Sequence, residues 1–104
     1  MDYLRILCGT EESLPVYADI VVCLQNISIF PDLIEPIYRK ALNMDEEDLI
    51  RLRFGLLRLQ MYADINRNQD LDLAQRIKYV AELLEETLFG DIAITLSGPV
   101  EEET

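Results

Sequence analysis

The chain has no histidine, and its bases are few: nine lysines and arginines stand against 20 acids, for a net charge of −11 over 104 residues. Without histidine there is no Cys–His nucleophile and no Ser–His–Asp triad, and a zinc site would have to be completed by carboxylates. Phosphate loops and cofactor motifs are also missing, so neither an enzyme nor a bound cofactor or metal is expected. The two cysteines, Cys8 and Cys23, form no Cys-x-x-Cys pair. Half of the residues are hydrophobic, and such a domain does not need a disulfide. Two free thiols are expected, with Cys23 packed as a small hydrophobe. No apolar run approaches the roughly 20 residues that cross a bilayer. The segment Met1 to Cys8 is too short and too acidic for a signal peptide, so a cytoplasmic protein away from membranes is expected.

Bases are absent from two long stretches. Residues 6–38 hold Glu11, Glu12, Asp19, Asp32 and Glu35 without a base, and residues 79–104 hold Glu82, Glu85, Glu86, Asp91 and Glu101 to Glu103 without one. The middle of the chain is nearly neutral. A nucleic-acid binder shows the reverse, a basic stripe that neutralises phosphates, and direct nucleic-acid binding is not expected.

Hydrophobic periodicity predicts a mainly α fold, a small single-domain bundle of about four helices near residues 13–26, 32–42, 45–65 and 71–89. The domain is expected over 1–98, with 99–104 a disordered acidic tail. Helix 45–65 is the clearest. Asn43 or Asp45 can cap it, and Asp45 to Asp48 place negative charge in its first turn, where the helix dipole favours it. Leu49, Leu52, Leu56 and Leu59 project to one side, and Ile50, Phe54, Leu57 and Met61 to another. A helix apolar on two flanks is expected at the centre of its domain, packed from both sides.

Helix 71–89 carries the stripe Leu73, Ile77, Val80, Leu84 and Leu88, can be capped by Asp70 or Asp72, and can stop at Gly90 in the left-handed conformation. Ser13-Leu14-Pro15 opens the first predicted helix, although Ile20 to Leu24 is β-branched enough for a buried strand. Pro36 in a first turn, or Asp32 with Glu35, can start the second. Residues 2–8 and 92–97 alternate and fit a short strand at each terminus or short helices.

The segment Asp64-x-Asn66-x-Asn68-x-Asp70-Leu71-Asp72 resembles the outline of an EF-hand calcium loop, with oxygen side chains at alternate positions and a hydrophobe at the eighth. Gln69 stands where the loop turns on glycine, and Gln75 where a bidentate glutamate closes the site, so a capped polar turn is expected instead. Arg51, Arg53 and Arg58 read as charge balance for neighbouring acids, with their stems over apolar surface.

Small acidic helical domains serve as inhibitors of basic proteins, nucleases above all, because a nuclease surface is positive in order to hold phosphates. In size, acidity and helicity the chain resembles the bacterial immunity proteins that silence cytotoxic nucleases, with no shared motif; a phage inhibitor that mimics nucleic acid would have the same profile. The expected partner is therefore a basic protein, with Glu82, Glu85 and Glu86 as the main contact group and Asp19, Asp32 and Glu35 as a second. A small acidic assembly or secretion chaperone, commonly dimeric, is the alternative, and a monomer is slightly favoured over a dimer.

Overall fold

A computed structural model describes residues 2–103, and their side chains as far as Gly90. Among the described residues there are five α-helices and no strand: α1 Tyr3–Cys8, α2 Pro15–Gln25, α3 Phe30–Leu42, α4 Glu46–Asn66 and α5 Leu71–Glu103, with a 3-10 turn at Ile27–Ile29 before α3. The four predicted helices are present. The suggested terminal strands are not: residues 3–8 form α1, and residues 92–97 lie within α5. The side chains of residues 91–104, with the acidic tail expected there, lie outside the described residues.

The helix starts follow from local chemistry. Asp2 accepts from the Arg5 amide at 3.0 Å, Asp45 from the Asp48 amide at 2.9 Å, and Asp70 from the Leu73 amide at 3.1 Å, each satisfying a first-turn N–H that the helix itself leaves open. Helix α2 starts on proline, whose missing N–H costs nothing there. Helix α3 starts at Phe30, with Pro31 in its first turn; Pro36, read as a possible start, lies inside the helix. Ile20 to Leu24 are helical, since tertiary burial outweighs a weak β-branched preference.

The stop expected at Gly90 is not made: Gly90 stays helical. The positive-φ glycine is Gly9 (φ 58°), which ends α1. A side chain there would be strained, and its Cβ would sit 3.0 Å from the Arg58 guanidinium.

The core is built from Leu7, Val16, Tyr17, Ile20, Cys23, Leu24, Phe30, Ile37, Leu52, Leu56, Leu59, Ile77, Val80 and Leu84. Helix α4 packs against α1 and α5, while α2 and α3 pack on each other and onto α5. Phe30 meets Tyr79 edge to face at 5.7 Å, which joins α3 to α5.

Gly55 faces the crossing of α1 and α4. A Cβ built on it would lie 2.8 Å from the Leu7 carbonyl oxygen and 3.0 Å from the Tyr17 hydroxyl. Both neighbours are held: Leu7 belongs to a helix backbone, and the Tyr17 hydroxyl donates to the Arg51 carbonyl oxygen at 3.4 Å. Gly55→Ala should therefore destabilise by about 1–3 kcal/mol through overpacking, against a helix-propensity gain of about 1 kcal/mol. Leu56→Ala, a buried truncation, should cost about 2–5 kcal/mol. Urea unfolding measures both; a stabilised Gly55→Ala variant would show that α1 does not pack as closely as described.

Candidate binding surfaces

Among the described residues no Asp, Glu, Lys or Arg is buried, so the charged groups all act at the surface. Their surroundings differ. Lys40 donates to Asp19 at 2.6 Å, and Arg39 pairs with Glu35 one turn away on α3. Asp32 is exposed on the same helix. The second acidic group is thus largely neutralised by its own neighbours.

The first group is brought together. Glu82, Glu85 and Glu86 line a shallow depression between α4 and α5 with Arg53, Gln60, Phe89 and Gly90. Glu85 is half-buried and accepts from Gln60 Nε2 at 3.0 Å. Arg53 lies over the Phe89 ring at 5.7 Å, a cation–π contact that turns its charge inward. Glu82 and Glu86 are exposed and make no ion pair among the described residues. Glu35 lines a separate depression between α3 and Thr87 of α5, and Asp19 is held by Lys40.

The arginines of α4 serve the fold. Arg58 Nε donates to the Ile6 carbonyl oxygen at 3.0 Å, and its NH2 nitrogen donates to that of Leu7. These are C-terminal carbonyls of α1, which have no partner within their own helix. Arg51 donates to Asp48 at 3.0 Å and to the Glu12 carbonyl oxygen at 2.7 Å, closing the loop between α1 and α2.

The EF-hand-like segment does not make a loop. Asp64 lies within α4 and pairs with Lys78 at 3.4 Å, the Asn66 amide donates to the Tyr62 carbonyl oxygen at 2.9 Å, and Asp70 caps α5. The oxygens are spread over two helices and one cap, and no group of three acidic or thiol side chains able to hold a metal occurs among the described residues.

The feature that periodicity misjudged is the second flank of α4. It is not packed. Ile50 is 50% exposed, Phe54 55%, Leu57 37%, Met61 61% and Ile65 75%. Only the flank of Leu52, Leu56, Leu59 and Ala63 is buried. One signal was readable. Glu47 and Asp64 project to the same side as the apolar stripe, at its two ends, and carboxylates are almost never fully buried.

No protein-family model matches the chain, and no curated protein or solved structure matches it either. Among the described residues no single helix is long and apolar enough to cross a membrane.

Both cysteines are free, Cys8 half-buried and Cys23 buried. Burial pushes the Cys23 thiol up to about 11 from 9.0, with the Asp19 carboxylate adding to the shift and a backbone hydrogen bond opposing it. Burial also raises the Tyr17 hydroxyl, against the pull of the Arg58 guanidinium. A raised folded-state value means that the native state holds its proton more tightly than the unfolded chain. The Cys23 contribution is therefore complete below about pH 9 and lost as pH rises through about 11. Urea midpoints should fall across that window, and fall less steeply in Cys23→Ala; equal slopes would remove Cys23 as the cause. Calcium at millimolar concentration should leave the melting temperature unchanged; a rise of several degrees, as expected of a ligand bound in the sensor range, would restore the calcium reading.

Proposed function

We propose that this is a non-enzymatic binding protein that neutralises a basic protein partner in the cytoplasm, as an immunity-type inhibitor does a nuclease toxin or a nucleic-acid-mimicking phage inhibitor does its target. The observation that supports it is the clustering of Glu82, Glu85 and Glu86 on one open depression, where three acids stand against the single base Arg53 and Glu82 and Glu86 make no ion pair among the described residues. A net-acidic patch of this kind speeds encounter with a positive surface and rejects negative ones. Gln60 fixes Glu85, which preorganises one acceptor and lowers the cost of ordering it on binding. From Tyr79 to Gly90, α5 carries no base of its own.

A second reading, a small acidic assembly or secretion chaperone, draws its support from the exposed apolar stripe on α4, because such proteins work through an apolar face.

Co-purification with the product of the adjacent gene, followed by association kinetics across salt, tests the first reading. The partner should be basic, and its on-rate should fall about tenfold or more between low and high salt while dissociation changes little. Reversing Glu82 and Glu86 together to lysine should weaken binding without loss of stability, since both are exposed. An acidic partner, a flat on-rate or unchanged affinity in the double reversal would refute it.

A further inference from the structure

We propose that the exposed stripe of α4 is the face on which a second copy of this chain docks, antiparallel across a two-fold axis. The proposal does not rest on the identity of the acidic-face partner, and it competes with the chaperone reading for the same stripe.

The stripe is contiguous. Ile50, Phe54, Leu57 and Met61 follow one another at spacings of four, three and four, with Ile65 a turn beyond, and residues three or four apart are neighbours on a helix surface. The same alternation makes the seam of paired helices. About a centre between Leu57 and Arg58, Ile50 mirrors Ile65 and Phe54 mirrors Met61, so the stripe approximates the self-complementary surface that an isologous antiparallel contact requires.

Area supports an occupant of protein size. At about 200 Å² of total surface for a residue of this kind, the exposures of the five residues amount to roughly 550 Å² of apolar patch. That is near the upper end of what monomers carry, and about two thirds of the ~800 Å² that a standard interface takes from each partner. The rim residues supply the remainder.

Charge selects the copy over a basic helix. The rim carries both signs: Glu46, Glu47 and Asp64 towards its ends, Arg53 and Arg58 along its middle. A strongly basic ligand finds its complement in the Glu82, Glu85 and Glu86 cluster of α5 and not on this mixed rim. An antiparallel copy that places Ile50 opposite the partner copy's Ile65, and Phe54 opposite its Met61, aligns the Arg53 and Asp64 edges of the two rims, with Arg53 over Phe89 and Asp64 paired to Lys78 within each copy. It also sets the two α4 dipoles antiparallel, each helix start beside the other's end. Arg58 meets its own counterpart across the axis, but its guanidinium is already turned onto the α1 carbonyls.

Sedimentation velocity on the full chain tests the proposal. The wild type should dimerise at micromolar concentration. Each copy carries −11, so the dimer should tighten severalfold as salt rises from about 0.02 to about 0.5 M and screens that repulsion. Phe54→Lys and Met61→Glu should each weaken the dimer about tenfold or more while circular dichroism stays unchanged and melting is unchanged at concentrations too dilute for the dimer, since both side chains are exposed. Mixing the two variants should recover dimer, because in the antiparallel register the new lysine faces the new glutamate. The idea is overturned if the wild type stays monomeric at high salt, or if the single variants dimerise as well as the wild type. It is also overturned if the mixture recovers nothing, or if the chain remains monomeric while the stripe takes up a basic amphipathic peptide.

Discussion

Gly55 is where three parts of the molecule meet. The Leu7 carbonyl of α1 and the Tyr17 hydroxyl of α2 both come within 3.0 Å of where its Cβ would be. A helix of six residues such as α1 is far too short to hold itself in water. It exists because α4 offers a surface without a side chain at that point, and because Arg58 takes up its last carbonyls. The contact also fixes the rotation of α4 about its own axis. With Gly55 turned towards α1 and α2, and Leu52, Leu56 and Leu59 towards the core, the residues half a turn away have nowhere to go but outward. The exposed stripe is a consequence of the same crossing that holds α1 in place.

The helices were legible in the sequence for reasons that are local. Asp45 and Asp70 cap because they precede periodic apolar runs, and Pro15 starts α2 because a first-turn proline loses no hydrogen bond. What was not legible depends on partners remote in sequence. The alternation at residues 2–8 fits strand or helix equally, and only Gly55, some fifty positions away, decides it by receiving α1. Gly9 and Gly90 each follow an apolar run, and nothing local says which one turns left-handed. The structure chooses Gly9, where the chain must reverse towards α2 and where Arg58 leaves no room for a Cβ. The two apolar flanks of α4 were visible, but periodicity reports that a face is apolar without reporting what covers it.

The same limit applied to charge. Counting placed the excess acid in residues 6–38 and 79–104, and the structure divides the two. On α2 and α3 the acids Asp19 and Glu35 find Lys40 and Arg39, bases that lie just outside the base-free stretch but fold back onto it. On α5 Glu82 and Glu86 share their depression with Arg53, whose guanidinium lies over the Phe89 ring, and Lys78, one turn before Glu82, pairs with Asp64 instead. Composition cannot foresee that an arginine one helix away will turn from a carboxylate to an aromatic face.

The two unspent surfaces lie on different helices and obey different physics. The acidic depression belongs to α5 and its seam with α4, and acts at a distance, so its strength decays with salt. The apolar stripe belongs to the solvent face of α4 and acts only in contact, with a strength set by area. Joining two copies through α4 would leave both α5 acid clusters exposed and doubles the negative charge of the particle. The repulsion opposing that union is long-ranged and screened at physiological salt beyond about 8 Å, while the apolar burial favouring it is not screened at all. Two acidic faces held on one rigid particle would meet a multivalent basic surface with a raised effective concentration for the second contact. A net charge that would otherwise keep the copies apart is thereby compatible with pairing: the charge and the apolar area sit on separate faces, so neither has to be buried against the other.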